Sequence, residues 1–516
     1  HCRLQNRGED FSPKEQKNLK RKNKRVLLKK MESLRFFNTL SRRREKFTPL
    51  FPPRVRIYSC GPTVYDHPHL GHMRTYVNTD ILLRALKYWG FKPFQVMNIT
   101  DVGHLTGDRD LGEDKLEKRA REKKETAWEI ARRYEKEFFQ VLKKLNITLP
   151  SVAPRATDNI KEMILLVKAL EEKGFTYQTP DGIYFDTSKL VDYGRLAHLS
   201  KEELREGARV EPNPYKKNPT DFALWKFSPK GIKRQMEWKS PWGKKGFPGW
   251  HIECSTMAMK YLSPCFVNGH FSPEKFTTID IHTGGVDHIP VHHTNEIAQT
   301  EAATGKKFVN YWIHYEFLEI EGKKMSKSIG NFYTLGDLEE RGYENLMPLR
   351  YFFLTAHYQR KMNFTWEALA GAKSAYQQLI EKTADRLEKK GKLGQGGGVK
   401  EDQRNFRRIL ANDLNTPQAL ALLWQAFKDQ KLKTGEKQFL IFDFDHIFGL
   451  KIKNEAEKLL KSRNKNYSKI KELVEKREKL REESRWEEAD KIRQEIEKKG
   501  YFLEDTPEGT KIKTRE

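Results

Sequence analysis

Two histidines stand on either side of a leucine and a glycine in His69-Leu-Gly-His72, a segment named here the phosphate turn. An apolar strand pattern over Val55–Tyr58 precedes it, and a helical pattern over Met73–Trp89 follows. A strand, a glycine-containing turn and a helix start present backbone N–H groups and the positive end of a helix dipole, which bind phosphate. The two imidazoles add hydrogen-bond donors that can carry charge. The segment is therefore a candidate phosphate site, although a solvated turn that holds two histidines is the simpler alternative.

A second segment suited to phosphate chemistry is Gly322-Lys-Lys-Met-Ser-Lys-Ser-Ile-Gly330, named here the lysine loop. It follows a strand pattern over Tyr315–Ile320, and Lys324 and Lys327 lie three residues apart within it. Their ammonium groups can neutralise the charge that develops on a leaving pyrophosphate, and such a loop can close over a ligand. A lysine- and serine-rich surface loop is the alternative interpretation.

Two cysteines, a histidine and a glutamate form a candidate zinc set. Cys60 ends the first strand pattern, and Cys254 follows Trp250-His-Ile-Glu253. His292 and Glu296 are four residues apart, so on a helix they share one face. Thiolate, imidazole and carboxylate groups are ligands that zinc accepts. Because the four residues are widely separated in the sequence, their spacing does not distinguish a metal site from core thiols and a surface His–Glu pair.

Composition limits the class of protein. The chain has 516 residues, of which 37% are hydrophobic and 33% charged, which favours a globular protein of two to four domains. No apolar run approaches the roughly 18 residues that a membrane span requires, and no signal-peptide apolar segment is visible. Four cysteines are too few for a disulfide scaffold, so we expect a reducing, cytoplasmic location. The net charge of +26 predicts a polyanionic partner, nucleic acid first, although lysine-rich solubility is the alternative.

The elements that must position these residues alternate between strand and helix. A strand over Arg56–Ser59, a helix over Tyr76–Trp89 and a strand over Phe94–Ile99 predict a βαβ unit. Such units build a doubly wound parallel sheet, whose ligands lie at the carboxyl ends of the strands. The second strand ends in the polar residues Asn98-Ile-Thr-Asp101, and a strand pattern resumes at Thr277–Ile281. The sequence therefore predicts an α/β fold whose parallel, Rossmann-like sheet is interrupted by an inserted subdomain.

The remaining patterns predict the inserted subdomain and a helical second half. The insertion contains a helix over 159–173, a hairpin over Thr176–Phe185 and a Pro/Lys-rich loop over Pro212–Lys245, and one long helix over 114–146 precedes it. An α-helical bundle and a small C-terminal domain should follow. Their predicted helices are 346–357, 365–390, 402–429, 435–447, 468–483 and 485–499, before a hairpin over Tyr501–Lys513.

Read together, the motifs resemble a known family. The phosphate turn with Lys324-Met-Ser-Lys-Ser328 resembles the paired signature of class I aminoacyl-tRNA synthetases, with Leu70 at the usual isoleucine position. Three further motifs make the chain similar to the cysteinyl-tRNA synthetase family from about Met31 to the C-terminus. These motifs are Cys60-Gly-Pro-Thr-Val-Tyr-Asp66, Gly249-Trp-His-Ile-Glu-Cys-Ser255 and Asp280-Ile-His-Thr-Gly-Gly-Val-Asp287. The chain departs from the family's usual Pro-His-His-Glu-Asn-Glu segment at Val291 and Thr294, but both candidate ligands there remain.

The resemblance implies a class I cysteine–tRNA ligase that joins L-cysteine to tRNA(Cys) through a cysteinyl-adenylate, using ATP with Mg²⁺. It implies one Zn²⁺ per chain that selects the substrate thiolate, and no covalent catalytic residue. The implied catalytic residues are His69, His72, Lys324 and Lys327. The implied ATP-binding residues are His69, Gly71, His72, Gly284, Gly285, Asp287 and Lys327. The implied cysteine pocket is Gly61, Thr100, Trp250 and His282. The implied zinc ligands are Cys60, Cys254, His292 and Glu296.

The same resemblance gives a domain division and partners. A basic tail over 1–30 precedes a catalytic domain whose halves are 31–151 and 246–300, with the connective subdomain 152–245 between them. A stem-contact region over 301–362, a tRNA-binding helical bundle over 363–452 and an anticodon-binding domain over 453–516 complete the predicted order. The partners are tRNA, cysteine and ATP, a monomer is expected, and the tail is either a loose basic extension or an RNA-binding arm. Candidate residues for stacking on anticodon bases are Trp486, Tyr501 and Phe502.

Three other functions compete with this interpretation. A zinc-dependent cysteine ligase that acylates a small amine would share the catalytic residues but lack the full C-terminal tRNA-binding part. A nucleotidylyltransferase with an HxGH motif would not explain the lysine loop or the zinc set. A catalytically silent, synthetase-like RNA-binding protein would not need intact His69, His72, Lys324 and Lys327.

Overall fold

The computed structural model describes residues 33–103, 114–199, 213–229, 231, 234–325, 330–389, 396–506 and 509–514. The predicted tail over 1–30 and Lys327 lie outside these residues. In chain order the strands are β1 (Arg35–Asn38), β2 (Arg43–Lys46), β3 (Arg54–Ser59), β4 (Lys92–Met97), β5 (Thr176–Thr179), β6 (Gly182–Phe185), β7 (Phe222–Phe227), β8 (Trp238–Lys239), β9 (Lys245–Pro248), β10 (Phe266–Val267), β11 (His270–Phe271), β12 (Ile279–Gly285), β13 (Val309–Tyr315), β14 (Leu318–Ile320), β15 (Lys323–Lys324), β16 (Met362–Phe364), β17 (Tyr501–Thr506) and β18 (Gly509–Thr514).

The helices alternate with these strands in the first half of the chain and dominate the second. They are α1 (Leu70–Tyr88), α2 (Lys115–Lys123), α3 (Ala127–Lys144), α4 (Ile160–Glu172), α5 (Trp250–Leu262), α6 (Thr294–Thr304), α7 (Leu335–Glu340), α8 (Met347–Leu354), α9 (Trp366–Glu388), α10 (Gly397–Ala411), α11 (Thr416–Lys428), α12 (Thr434–Phe448), α13 (Ile452–Glu482) and α14 (Trp486–Lys498). Among the helices described, none is both long and apolar enough to cross a membrane.

A parallel sheet of four strands, in the order β13-β12-β3-β4, forms the centre of the molecule. The chain runs from β3 through α1 to β4, and from β12 through α6 to β13, so the two central strands β3 and β12 lead away in opposite directions. Ligands of doubly wound sheets bind at such a switch point, at the carboxyl ends of the strands. Five of the six residues of β3 are buried, as expected for a strand covered on both faces. The predicted α/β fold class is confirmed.

The inserted segment forms an antiparallel sheet in the order β5-β6-β7-β9-β8. The predicted hairpin over Thr176–Phe185 is present as β5 and β6. The prediction that Pro212–Lys245 is a loop is wrong, because β7 and β8 lie inside it. All six residues of Phe222-Ala-Leu-Trp-Lys-Phe227 are buried at the middle of this sheet. Proline and lysine on either side of that short apolar run obscured a buried strand, which shows no period-two alternation.

Two helices predicted as single elements are each broken into two. The predicted helix over 114–146 becomes α2 and α3, because Lys124 adopts a left-handed conformation with φ of 56° and Thr126 then caps α3. Thr126 and Glu129 form a reciprocal capping box. The predicted helix over 402–429 becomes α10 and α11, and Asn415 caps the second of these. In both cases a capping side chain marks the break between the two helices, and the hydrophobic period does not change there.

A buried ionic cluster, named here the Arg350 joint, connects α1 to α8 and to the end of α12. Arg350 donates through Nη2 to Asp80 Oδ2 at 2.5 Å and through Nε to the Phe448 carbonyl at 2.6 Å. Its Nη1 donates to the Leu145 carbonyl at 2.9 Å, and Arg84 Nε donates to Asp80 at 2.6 Å. Arg350 and Asp80 are fully buried. The joint therefore fixes the parallel-sheet part against the helical bundle.

The N-terminal hairpin of β1 and β2 lies against the edge strand β13. Asn38 Nδ2 donates to the Asn310 carbonyl at 2.9 Å, and Asn38 Oδ1 accepts from the Trp312 backbone N–H at 3.0 Å. The backbone N–H of Thr39 donates to the Trp312 carbonyl at 2.9 Å. These bonds hold the tip of the hairpin in a fixed place beside the sheet.

Candidate active site and metal centre

The predicted metal ligands meet at the switch point of the central sheet. Cys60 directly follows β3, and its backbone N–H donates to the Thr283 carbonyl of β12 at 3.1 Å. Cys254 comes from α5 and Glu296 from α6, while His292 lies in a π-helical turn over Ile289–His293 that leads into α6. One ligand atom from each of the four residues lies within 4.8 Å of the others, and all four are buried. The structure thus brings together residues that are far apart in the sequence.

The same pocket contains more donors than the sequence predicted. Cys60 and Glu296 also form a second set with His282 and His293, again within 4.8 Å. His292 Nε2 lies 3.1 Å from Glu296 Oε1, and His282 Nε2 lies 3.1 Å from Oε2 of the same carboxylate. The imidazole of His293 was missed, although its position directly after His292 was visible in the sequence. We call these six residues the metal pocket: Cys60, Cys254, His282, His292, His293 and Glu296.

Neighbouring groups shift the pKa values of two pocket residues, Cys254 and Glu296, towards the deprotonated forms that metal binding requires. Burial raises the pKa of Cys254, but hydrogen bonds from Cys60 and the charge of His292 lower it to about 7. Burial would also raise the pKa of Glu296, yet His282 and His292 lower it to about 2. By contrast, burial raises the pKa of the Cys60 thiol well above its ordinary value. Cys254 is therefore the readier thiolate, and Glu296 is a carboxylate at neutral pH.

The chemistry of these donors fits a zinc ion. Two sulfurs, an imidazole and a carboxylate converge in one buried pocket, which is a ligand combination zinc accepts. Metal-binding histidines usually hold a second partner on the other ring nitrogen, and His292 Nδ1 lies 3.0 Å from His251 Nδ1. The buried Nδ1 atoms of His282 and His288 have no hydrogen-bond partner in the described part of the chain, so the pocket is not a closed structural network.

The phosphate turn caps α1 with its own histidines. His69 Nδ1 accepts from the backbone N–H groups of Gly71 at 3.1 Å and His72 at 3.4 Å, and the two imidazoles stack with centroids 3.6 Å apart. Burial lowers the pKa of His69 to about 2 and that of His72 to about 4. Burial therefore favours the neutral form of both rings. Because Nδ1 of His69 accepts, its neutral ring carries the proton on Nε2 and offers it as a donor.

The two flanks of the lysine loop lie against the phosphate turn. Lys324 belongs to β15, which pairs with β14, and its Nζ lies 5.2 Å from the centre of the Phe317 ring. After the loop, the Tyr333 carbonyl accepts from the backbone N–H of Leu70 at 3.0 Å, and the Phe332 ring lies 4.8 Å from that of His69. The fold therefore brings the two predicted phosphate-binding segments together.

Arg74, which the sequence reasoning missed, fixes this arrangement from within α1. Its Nη1 donates to the carbonyls of Glu316 and Phe317, each at 2.6 Å, and its Nη2 donates to the Arg360 carbonyl at 2.5 Å. The side chain is buried, with 1% of its surface exposed. Arg74 thus holds the loop that connects β13 to β14 at a fixed distance from the phosphate turn.

The predicted nucleotide residues line the end of β12. A Cβ atom on Gly284 would lie 2.6 Å from His293 Cε1, and one on Gly285 would lie 2.2 Å from Asp287 Oδ1, so a larger residue at either position would displace these side chains. The charge of Asp287 raises the pKa of His72, against the stronger effect of burial. Gly284, Gly285 and Asp287 thus lie between the metal pocket and the phosphate turn, and their binding of ATP stays a prediction.

The four predicted cysteine-pocket residues divide into two pairs. The Trp250 ring lies 4.4 Å from that of His292, and His282 contacts Glu296 directly. Gly61 and Thr100 meet through Asn98, whose Oδ1 accepts from the Gly61 backbone N–H at 2.8 Å and whose Nδ2 donates to Thr100 Oγ1 at 3.0 Å. His282 thus belongs to the metal pocket and Trp250 contacts it, while Gly61 follows Cys60 in the chain and is joined to Thr100 through Asn98.

The C-terminal aromatic candidates differ in exposure. Trp486 is 57% exposed and Phe502 is 37% exposed, whereas Tyr501 packs against the small hydrophobic core of α13, α14 and β17. The guanidinium of Arg481 lies 5.9 Å from the Trp486 ring. Trp486 and Phe502 thus expose part of their rings at the surface, whereas Tyr501 has a structural contact.

Comparison with known sequences gives a consistent result. Residues 46–374 match the family model described as the tRNA synthetases class I (C) catalytic domain. The chain is 44% identical to cysteine–tRNA ligase 1 of Burkholderia lata over 481 residues, which covers 93% of this chain and 96% of the relative. It is 40% identical to cysteine–tRNA ligase of Treponema denticola over 496 residues, which covers 92% of this chain and 98% of the relative.

Solved structures show the same fold at low sequence identity. Methionyl-tRNA synthetase of Mycobacterium tuberculosis, in complex with methionyl-adenylate, superposes with a TM-score of 0.53 and 15% identity, covering 77% of this chain and 90% of that one. LeuRS of Agrobacterium radiobacter K84, in its ternary complex with tRNA and LeuAMS, gives a TM-score of 0.54 and 12% identity, covering 88% of each chain. At these identities the likeness concerns the fold alone.

Proposed function

The chain belongs to the cysteinyl-tRNA synthetase family of class I aminoacyl-tRNA synthetases, and on that premise we propose that it activates L-cysteine with ATP and transfers it to tRNA(Cys). The observation that carries the proposal is the adjacency of two sites on one strand-turn-helix segment. Cys60 at the end of β3 belongs to the metal pocket, and His69 and His72 at the start of α1 form the phosphate turn. Amino acid and nucleotide would therefore bind side by side.

In the proposed first step, the cysteine carboxylate attacks the α-phosphate of ATP, the adenylate forms and pyrophosphate leaves. The neutral rings of His69 and His72 would donate from Nε2 to phosphate oxygens, assisted by the backbone N–H groups at the start of α1. Lys324 and Lys327 would neutralise the charge that develops on the leaving pyrophosphate. The Mg²⁺ expected with ATP would share that task. Alignment and charge stabilisation suffice for this chemistry, so no protein nucleophile is proposed.

Selection of cysteine over serine is proposed to depend on the metal pocket. Zinc held by Cys60, Cys254, His292 and Glu296 would supply a soft Lewis acid that a substrate thiolate coordinates better than a hydroxyl. Shape alone discriminates such a small difference by only about 1–3 kcal/mol. Trp250 and His282 would orient the substrate beside that set, while the Asn98 contacts hold Gly61 and Thr100 in place.

Recognition of tRNA is proposed for the C-terminal half. The predicted division assigns the helical bundle over 363–452 to tRNA contacts and the domain over 453–516 to the anticodon. Exposed Trp486 with Arg481 beside it, and exposed Phe502, support base stacking there. The net charge of +26 supports salt-dependent binding to the phosphate backbone.

The test is cysteine-dependent ATP–pyrophosphate exchange, followed by transfer of labelled cysteine to tRNA. We expect both activities, with exchange stimulated by cysteine far more than by serine. Exchange without transfer to tRNA would favour the small-amine ligase, and the absence of both activities would favour a silent RNA-binding protein.

A further inference from the structure

We propose that a groove between the N-terminal hairpin and the helical bundle binds the ribose–phosphate backbone of tRNA. The groove, named here the hairpin groove, has a volume of about 990 Å³. Arg35 of β1 and Lys46 of β2 line one side, and Arg408 of α10 lines the other with residues of α11. The proposal rests on the proposed function, which makes tRNA the polyanion that the protein holds.

The two sides of the groove are held together by hydrogen bonds between the hairpin and the turn from α10 to α11. The Arg35 carbonyl accepts from the backbone N–H of Asp413 at 3.1 Å, and Asp413 Oδ1 accepts from the backbone N–H of Phe37 at 2.9 Å. Asp413 is fully buried, and its carboxylate also contacts the Tyr358 hydroxyl and Arg44. The groove is therefore formed by the fold itself and needs no ligand to bring its sides together.

The lining of the groove is rich in hydrogen-bond donors and has no negative charge. Besides Ser33, its polar residues are three cations and three amides: Arg35, Lys46, Arg408, Asn412, Gln418 and Gln425. All six are exposed, and no carboxylate lines the groove as the structure describes it. Asn412 Oδ1 accepts from Arg44 Nη1 at 3.3 Å, so the NH₂ group of this amide is the part that can donate to a ligand. Such a lining fits a ligand with several anionic oxygens.

Two opposed cations of the hairpin give an independent indication of an anion. Arg35 and Lys46 are direct register partners in the antiparallel pair of β1 and β2, so their side chains leave the same face of the hairpin. Like charges that face each other across two strands are destabilising. Among the described residues, no ion pair joins either of them to a carboxylate, whereas Arg44 of the same hairpin lies 3.5 Å from Asp413. A phosphate between the two side chains would relieve their repulsion.

The exposure and polarity of the groove favour a nucleic-acid backbone over a small anion. Small-molecule sites are mostly apolar and bury most of the ligand surface, whereas the six cations and amides of this groove are exposed. Arginine, lysine, asparagine and glutamine are side chains that contact phosphate and sugar in nucleic-acid complexes. The amides can also both donate to and accept from the 2′-hydroxyl of ribose. The inference extends the proposed tRNA contacts from the C-terminal half to the N-terminal hairpin.

The test removes the three cations in a triple variant, Arg35→Gln/Lys46→Gln/Arg408→Gln, and measures tRNA affinity at several salt concentrations. Each lost phosphate contact lowers the slope of log affinity against log salt by about 0.7–0.9, so we expect a slope that is shallower by about 2–3. The loss should be equal for tRNA(Cys) and for an unrelated tRNA, because backbone contacts carry no sequence information.

The matched control removes three exposed lysines of the inserted subdomain, in Lys161→Gln/Lys168→Gln/Lys239→Gln. It changes the net charge by the same amount and should keep the wild-type slope. The unfolding midpoint of the ligand-free groove variant should equal or exceed that of the wild type, because the repulsion between Arg35 and Lys46 is removed. If the triple variant does not fold, Lys46→Gln alone provides the same test, with an expected change in slope of about 1.

Three results would overturn the inference. An unchanged slope in groove variants that fold would show that the groove contacts no phosphate of tRNA. An equal loss in the control would show that overall charge, and not the groove, determines affinity. A loss confined to tRNA(Cys) would indicate recognition of bases. Groove-dependent binding of tRNA by a wild-type protein that has no cysteine-dependent pyrophosphate exchange would instead contradict the proposed function and leave this inference standing.

Discussion

The metal pocket and the Arg350 joint are both buried polar clusters, and both lie beside α1, but their hydrogen bonding differs. In the joint, Arg350 pairs with Asp80 and with two backbone carbonyls, and Asp80 Oδ1 also accepts from the Thr148 backbone N–H at 2.9 Å. In the metal pocket, His282 Nδ1 has no partner among the described residues, and the pKa values of Cys254 and Glu296 are strongly shifted.

The difference distinguishes a buried cluster that stabilises the fold from a buried cluster that is suited to binding a ligand. A buried charge whose every hydrogen bond is satisfied stabilises one arrangement of the chain and needs no ligand. A buried group of thiols, imidazoles and a carboxylate with unused donor atoms is suited instead to a ligand that completes its coordination. Substitutions in the two regions should therefore have different consequences.

The largest expected effect on stability is at the joint. Arg350→Met leaves Asp80 with one fewer cation and leaves the carbonyls of Leu145 and Phe448 without that donor, so we expect a loss of about 3–5 kcal/mol in the free energy of unfolding. Zinc content per folded molecule should not change. Urea denaturation measures the loss, with Arg463→Met as the matched control.

The control removes an ion pair that is exposed on both sides, Arg463 with Asp385 at 2.7 Å. Exposed pairs contribute about 0–1 kcal/mol, so the control should remain close to the wild type. A loss below about 1 kcal/mol for Arg350→Met would show that the joint is not the structural connection described above.

Acidity distinguishes the phosphate turn from the Arg350 joint by a smaller effect. Burial lowers the folded-state pKa of His72 to about 4, so between pH 6.5 and 4 the unfolded chain binds a proton that the folded chain does not. Stability from this group is therefore complete above the unfolded pKa of about 6.5 and is lost as the pH falls towards 4. The pKa of Asp80 is lowered instead, because Arg350 and Arg84 outweigh its burial, so the joint does not titrate in this window.

We therefore expect His72→Asn to reduce the loss of unfolding free energy between pH 7 and pH 5 by about 2 kcal/mol. Arg350→Met should lower stability by a similar amount at both pH values. Urea denaturation at the two pH values measures both slopes. Equal slopes for His72→Asn and the wild type would mean that the phosphate turn does not keep its imidazole neutral.

The sequence predicts the first βαβ unit well, because β3, the phosphate turn and α1 follow one another directly in the chain. The strand and the helix also each show their own hydrophobic period. It offers the metal ligands as a candidate set, but only the family resemblance assigns them, since the fold and not the spacing brings Cys60 and His292 together. The contact between Thr39 Oγ1 and His314 Nδ1 could not be predicted, because the two residues are 275 positions apart and neither alters a hydrophobic pattern. The role of Arg74 could not be predicted for a related reason. Its hydrogen-bond partners are backbone carbonyls, which any sequence supplies.

The measurement that tests the central claim most directly compares Cys254→Ser with Cys265→Ser. Both cysteines are buried, but Cys265 contacts the Met259 carbonyl and does not belong to the metal pocket as described. Zinc content and the ratio of cysteine- to serine-dependent pyrophosphate exchange are measured for each variant and the wild type. We predict that Cys254→Ser loses zinc and that its preference falls to the roughly 10–200-fold that shape alone provides, while Cys265→Ser keeps both. Normal zinc content with an unchanged preference in Cys254→Ser would contradict the account.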